Sequence, residues 1–267
     1  MNSLSFARLY KFTVSGFALN YVTPVGLMGG EPYRIMELTP YVGVERATSS
    51  VILYVMMHIF SHFCFWLSSV LIYVFFYPVG WGMGIVLGLT TLFCLLLVTL
   101  FIKGYRNGMA VACVRLGSHI PFLKKRAVRF AELHKEKLET IDSQIALLHQ
   151  QRKSTFYLAL GLEYTARIVG CLEVWLILNV LTTDVSFVGC ILIVAFSSLL
   201  ANLLFFLPMQ LGGREGGFAL AVAGLSLSGA YGVFAALITR VREMVWIVIG
   251  LVPVSYTHLT LPTILRV

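Results

Sequence analysis

Residues 20–34 read NYVTPVGLMGGEPYR, and they break an apolar stretch of the chain with a proline, a Gly-Gly pair, a carboxylate and a guanidinium. A second break of the same kind occupies residues 208–217, PMQLGGREGG. In both breaks the proline precedes a glutamate by seven positions, and the Gly-Gly pair lies between them. Proline stops a preceding helix. In a chain this apolar, paired breaks mark places where helices are interrupted to meet something polar inside a membrane.

The composition is that of a membrane protein. Of the 267 residues, 58% are hydrophobic and 12% are charged, whereas a soluble domain carries about 25% charged residues. The net charge is +8, and residues 103–153 hold 11 Lys or Arg against 4 Asp or Glu. Because Lys- and Arg-rich loops of this length stay in the cytoplasm, the charge indicates topology, and we expect no nucleic-acid partner.

Long apolar runs predict the membrane spans, since a crossing needs about 20 residues. The predicted fold class is therefore all-α: a polytopic integral membrane helix bundle with two Gly/Pro-broken re-entrant elements. Four spans separate the two breaks, which places both near the cytoplasmic face. The apolar runs lie at residues 47–77, 79–102, 156–181 and 185–207, followed by 218–239 and 244–253.

The segments between and beyond these runs complete the predicted organisation. Residues 240–243 lie inside if 218–239 is a hairpin and outside if it is one full span, and the positive-inside bias favours the hairpin. Apolar residues recur at helical spacing within 103–153, which predicts a solvated helix packed under the bundle or, less favoured, an interfacial helix. We expect residues 1–253 to form one transmembrane domain, truncated at both ends. Residues 254–267 resemble the translation of a transposon-derived sequencing adapter, an origin that we favour over a genuine short hydrophilic terminus.

Charged and histidine side chains within the apolar runs are the next signal. Glu163 and Arg167 are four positions apart on one helical face. They form either a self-neutralising pair that fixes helix packing, or a polar path on which Arg167 meets a phosphate and Glu163 or Glu173 a cation. His58 and His62 are also four apart but lack a third ligand, so packed histidines are favoured over a metal site, and no metal or cofactor is expected.

The charged side chains beside the two breaks are the candidates for binding a ligand. An arginine suits a phosphate, and a glutamate suits an ammonium group. As a hypothesis, Arg34 and Arg214 hold the phosphate of a lipid headgroup, while Glu31 and Glu215 hold its cationic group or gate the cavity. Glycines let a backbone approach a ligand and expose N–H groups to anions at helix starts. The alternative is that these glycines serve only tight helix packing.

The two motifs, taken with the Arg-x-Arg-Glu run at 240–243, resemble the transmembrane region of lysylphosphatidylglycerol synthases, a flippase-like family that also occurs as free-standing membrane proteins. The resemblance covers residues 1–253. It implies a lipid translocase of the bacterial cytoplasmic (inner) membrane, with the 103–153 loop in the cytoplasm. Compared with the family, we expect the soluble aminoacyl-transferring domain and the first one or two helices to be missing from this sequence, and from the first of these departures we expect no synthase activity. The candidate headgroup-binding residues are Asn20, Pro24, Gly29, Gly30, Glu31, Arg34, Glu163, Arg167, Gly212, Gly213, Arg214, Glu215, Arg240, Arg242 and Glu243.

The sequence thus predicts a protein that translocates or binds a phospholipid or lipid-linked headgroup. The expected partners are membrane phospholipids, anionic or aminoacylated, and a separate synthase or lipid-modifying enzyme; no oligomeric state is predicted. No Walker-type phosphate loop is present, so directed transport would use an ion or lipid gradient. Two alternatives stay open: a lipid-modifying enzyme with His58, His62 or Glu31 as acid–base groups, and a non-transporting scaffold that docks through 103–153.

Overall fold

The computed structural model describes residues 4–23, 29–107, 153–204 and 210–264, together with 136, 139–140 and 142–143. These residues form eight α-helices and no strand, which confirms the all-α class. Pro24, Pro208 and the helix predicted within 103–153 lie outside the described residues, apart from the few positions just named. The helices are α1 Phe6–Val22, α2 Gly30–Val42, α3 Val44–Phe76, α4 Trp81–Asn107, α5 Lys153–Asn179, α6 Phe187–Leu203, α7 Gly213–Gly224 and α8 Gly229–Ile264.

The chain divides into two compact units. The first comprises Met1–Tyr41 and Ile168–Val267, and the second comprises Val42–Arg167. Both Gly-rich breaks therefore belong to the first unit. The division falls within α5, which gives its residues up to Arg167 to the second unit.

In the second unit, α3 packs against α4. The helix Val44–Phe76 and the Trp81–Ile102 part of α4 are long and apolar enough, by length and composition, to cross a membrane. At about 1.5 Å per residue, both exceed the roughly 30 Å hydrocarbon core. They coincide with the apolar runs predicted at 47–77 and 79–102. Helices α5 and α6 occupy most of the runs predicted at 156–181 and 185–207, but their crossing of the bilayer stays a prediction.

In the first unit, α7 and α8 form an antiparallel hairpin that turns at residues 225–228. Gly229 lies against the backbone of Ala219, and Gly232 against that of Phe218. The hydrophobic core beneath the hairpin also draws on α5 and α6. Its fully buried members include Val174, Leu178, Ile193, Phe218 and Val222.

The division of this region into runs at 218–239 and 244–253 was wrong. Helix α8 continues unbroken from Gly229 to Ile264 and contains residues 240–243. The charges there do not end the helix, because side chains from neighbouring helices neutralise them. The helix also passes residue 254 without a break, so the adapter origin of 254–267 stays a prediction.

Helix α1 packs on two partners at once. Gly250 of α8 lies against the Val14 carbonyl and the Ala18 side chain. On another face, α2 runs back along α1, since Gly30 lies against Gly16 near the break and the rings of Phe12 and Tyr41 meet at the far end, 6.5 Å apart. Helix α1 therefore joins the first motif to the α7–α8 hairpin.

Candidate functional site

The first motif is a compact hydrogen-bonded turn between α1 and α2. The Gly30 N–H donates to Asn20 Oδ1 at 2.8 Å, and Asn20 Nδ2 donates to Glu31 Oε1 at 3.2 Å. Arg34 Nη1 donates to both Glu31 oxygens, at 2.8 and 3.0 Å, and its Nη2 donates to the Thr13 carbonyl at 3.1 Å. Asn20 thus caps α2, and the Glu31–Arg34 pair is local to that helix.

Glycines allow this close approach of α1 and α2. A Cβ at Gly30 would overlap the Gly16 carbonyl, and a Cβ at Gly16 would come within 2.5 Å of Arg34 Nε. Gly29 is similarly enclosed by Thr23 and the Leu19 carbonyl. The packing alternative therefore describes the glycines of the first motif well, and this packing is what buries Arg34, which is only 8% exposed.

The second motif uses its glutamate to close the first turn of α7. Gly212, in the left-handed region with φ 78°, donates its N–H to Glu215 Oε2 at 2.9 Å. The other oxygen of Glu215 accepts from Arg240 Nε on α8. Arg240 Nη2 also reaches the carbonyl of Gln210, 3.4 Å away, in the turn that precedes the helix. One arginine of α8 therefore fixes both the turn and the first carboxylate of α7.

A second ion pair crosses the same hairpin. Arg214 Nη1 donates to Glu243 Oε1 at 2.5 Å, and its Nη2 lies 3.2 Å from Thr239 Oγ1. Arg240 and Glu243 are 6% and 7% exposed. Leaving one partner of such a pair alone costs about 3–5 kcal/mol. The two pairs therefore hold the beginning of α7 against the middle of α8.

Tyr21 joins the two motifs. It follows Asn20 directly and lies within electrostatic reach of Glu243, Arg214 and Arg240. The structure thus brings both breaks to one place in the first unit. We call this set the paired-motif cluster: Asn20, Tyr21, Glu31, Arg34, Arg214, Glu215, Thr239, Arg240 and Glu243.

Comparison with known proteins was made against families, curated proteins and solved structures. The sequence model of the lysylphosphatidylglycerol synthase TM region matches residues 2–251. The chain belongs to this family. No curated protein and no solved structure matches it. Family membership and the apolar helices α3 and α4 make it a membrane protein linked to lipid handling.

In this family member the charges beside the breaks bind one another. The sequence assigned arginines to a phosphate and glutamates to a cation, and those roles stay predictions. In the structure Arg34 binds Glu31, Arg214 binds Glu243, and Arg240 binds Glu215. The N–H groups of Gly30 and Gly212, expected to face an anion, are taken by Asn20 and Glu215.

Two further predicted residues of the first unit, Gly213 and Arg242, lie outside the paired-motif cluster. Gly213 is the first residue of α7 and is buried. Arg242 binds Glu173 of α5 in a more exposed pair, with 47% and 27% of the side chains exposed. Sequence reasoning missed Tyr21 and Thr239. The only signal for Thr239 was its spacing, four residues before Glu243 on one helical face.

Glu163 and Arg167 belong to the second unit, and within the described structure they form no salt bridge with each other. Glu163 Oε2 lies 3.1 Å from His58 Nδ1. Arg167 donates through Nε and Nη2 to Ser61 Oγ, at 2.9 and 2.7 Å, and through Nη2 to the His58 carbonyl at 2.9 Å. The self-neutralising pair is therefore replaced by two contacts that tie α5 to α3. Among the described residues, no group of three His, Cys, Asp or Glu is placed to hold a metal.

Proposed function

We propose that this family member is a multi-pass protein of the bacterial cytoplasmic membrane that binds a lipid headgroup at the paired-motif cluster and moves it between leaflets. It acts as a carrier and catalyses no change in the lipid. A polar headgroup does not cross about 30 Å of hydrocarbon unaided. The observation that carries the proposal is the set of three Arg–Glu pairs at two helix breaks, each with one buried partner.

Ion pairs in an apolar chain stabilise helix packing. Their arginine and glutamate side chains are also the groups that bind the phosphate and the ammonium of a lipid headgroup. A guanidinium binds phosphate oxygens as it binds a carboxylate, through two parallel hydrogen bonds. A phosphate that displaces Glu243 from Arg214 would free a carboxylate for an ammonium group. A headgroup with one phosphate and one ammonium group would then leave the total charge of the cluster unchanged, which limits the cost of desolvation. Phosphatidylglycerol, with a phosphate and no amine, would lower that charge by one, and its lysyl ester, with two protonated amines, would raise it by one.

Glu243 supplies a further argument. Its Oε2 is buried, and apart from the neighbouring Tyr21, which hydrogen-bonds to this carboxylate, no donor reaches that oxygen in the part of the chain that the structure describes. A carboxylate accepts several hydrogen bonds, so Glu243 has capacity left for the ammonium group of a lipid.

The proposal includes a topology. With residues 103–153 in the cytoplasm, the two broken elements enter the membrane from the cytoplasmic side, and the helix starts at Gly30 and Gly213 lie at the base of a polar cavity. The α7–α8 hairpin places Arg214 and Glu215 level with residues 240–243, as a re-entrant hairpin requires. An ion or lipid gradient supplies the direction of transport.

The test is reconstitution into vesicles that contain tail-labelled fluorescent phosphatidylglycerol or its lysyl ester. Dithionite bleaches the outer leaflet, so exchange between leaflets raises the bleached fraction above the half expected without exchange. We expect the wild-type protein and Arg46→Gln, a charge change at an exposed site, to permit exchange. Glu31→Ala and Arg214→Ala should slow it. Exchange no faster than in empty vesicles would refute the proposal.

A further inference from the structure

The second unit contains a polar group that the paired-motif cluster does not use. His58 of α3 and Glu163 of α5 meet at 3.1 Å, although 105 positions separate them in the sequence. Helix α3 is apolar enough to cross a membrane. An ionisable residue inside such a helix, as His58 is, marks a functional site by default, because insertion of a charge costs about 2.5–3.5 kcal/mol.

The geometry defines where a proton would bind. With Glu163 ionised, its oxygen accepts a hydrogen bond, so His58 Nδ1 carries the hydrogen and Nε2 is the basic nitrogen. The His58 side chain is 44% exposed and that of Glu163 is 27% exposed, so the described residues enclose neither side chain fully. Protonation at Nε2 converts the hydrogen bond into an ion pair without moving either side chain.

The surrounding groups limit the site to one exchangeable proton. Arg167 is fixed to Ser61 and the His58 carbonyl and lies within electrostatic reach of Glu163 and His62. With His58 neutral, Glu163 and Arg167 cancel; with His58 protonated, the group carries one positive charge. Helix α4 contributes no charged residue between Trp81 and Ile102. The other titratable side chains near the pair are Tyr54, His62 and Cys64.

The group also connects two helices. Glu163 and Arg167 are one helical turn apart on α5, and each binds α3. The same α5 carries Glu173, which binds Arg242 next to Glu243. Helix α5 therefore carries both the partner of His58 and, past Arg167, a residue that binds α8.

We propose that the His58–Glu163 pair is a proton-binding site, and that its loading and release couples headgroup movement to the proton gradient. The proton-binding part is argued only from contacts within the second unit. The coupling part rests on the proposed function, because it requires that the protein moves a lipid. Histidine is the side chain that changes charge between pH 5 and 8 in ordinary surroundings, which suits it to a gradient of this range.

Proton binding is tested by nitrogen-15 NMR of histidine-labelled protein in lipid nanodiscs. Spectra are compared at pH 8 and pH 5, and we expect the His58 signal, assigned by its loss in His58→Gln, to differ between them as a neutral and a protonated ring do. In Glu163→Gln, which lacks the carboxylate partner, this difference should change. Ser68→Ala is the matched control, because Ser68 also bonds α5, through the Tyr164 hydroxyl at 2.8 Å, yet carries no charge. A His58 signal that is constant over this range, or unmoved in Glu163→Gln, would overturn the site.

Coupling is tested by the steady-state distribution of fluorescent phosphatidylglycerol between leaflets, with the membrane potential clamped to zero by valinomycin and equal potassium. If one proton moves with each lipid, a gradient of one pH unit changes the distribution by up to about tenfold. Wild type and Ser68→Ala should show this asymmetry, and His58→Gln should lose it. Rapid exchange in the wild type with no asymmetry would overturn coupling but leave the carrier function standing. Absence of exchange would instead overturn the carrier function and the coupling with it, and the NMR titration would still decide proton binding.

Discussion

The two Gly-rich breaks share a sequence pattern, but their charged side chains are neutralised by different partners. In the first, Glu31 and Arg34 pair within α2, and the glycines bring α2 against α1. In the second, Arg214 and Glu215 pair with residues of α8 that lie 29 and 25 positions further along the chain. The first motif is therefore a rigid, locally paired turn, whereas the second is held closed by ion pairs between two helices. Opening a cavity at the second motif requires an exchange of ion partners, and opening one at the first requires unpacking of the backbone.

The largest expected effect is at the second motif. Glu243→Gln leaves Arg214, whose side chain is 18% exposed, without its salt-bridge partner, so the free energy of unfolding should fall by about 3 kcal/mol, the lower end of the cost for a buried pair. The measurement is unfolding by SDS titration in mixed micelles. The neutral double variant Arg214→Gln/Glu243→Gln removes both charges and should recover most of this loss. Equal losses in the single and double variants would show that the ion pair is not what closes the hairpin.

Packing at the first motif is the next test. Gly30→Ala forces a Cβ into the Gly16 carbonyl, and overpacking of this kind costs about 1–3 kcal/mol. The same SDS titration should show the loss, and the larger Gly30→Val should exceed it. A tolerated alanine at this position would contradict the account of a backbone-packed first motif.

A smaller loss of stability is expected when Gly212 of the second motif is replaced, because of its backbone conformation. Gly212 has φ 78° and open space around the position of a Cβ. Alanine there meets no neighbour but must adopt the left-handed region, at about 1–2 kcal/mol. Gly212→Asn should lose less, because asparagine tolerates this conformation. If Asn and Ala are equally destabilising, the positive φ is not what requires glycine.

The smallest expected effect is an increase in the free energy of unfolding, not a loss. Gly216 lies within α7 with no atom near the position of a Cβ. Gly216→Ala should therefore stabilise the protein by about 0.5–1 kcal/mol through helix propensity alone. Hydrogen exchange of the α7 amides, read by mass spectrometry, should slow accordingly. A destabilised Gly216→Ala protein would indicate that this glycine faces something other than open space.

The helices could be predicted from the sequence where apolar runs are long, as for α3 and α4. The predicted boundaries failed around residues 240–243, because charges in a membrane protein normally indicate an end of a span. Here Glu173, Arg214 and Glu215 neutralise them inside a continuous helix. Partners that lie 25 or more positions away are not encoded in any local spacing.

In the candidate site, too, local sequence patterns could be predicted, whereas contacts between distant residues could not. Spacing alone identified the Pro, Gly-Gly and Glu pattern of both breaks, and it placed Arg34 and Arg214 beside them. It did not identify Tyr21, which joins the motifs only because α1 crosses α8 at Gly250. Nor did it find the His58–Glu163 contact, since the sequence paired Glu163 with Arg167, four positions away.

The central claim is that the ion pairs of the paired-motif cluster handle a lipid headgroup and do not merely hold helices together. The most direct measurement compares lipid exchange in vesicles for the wild type and for Arg214→Gln/Glu243→Gln, after SDS titration has shown both to be folded. The account predicts that the double variant, although folded, exchanges fluorescent phosphatidylglycerol no faster than protein-free vesicles. Exchange at the wild-type rate in the folded double variant would contradict it.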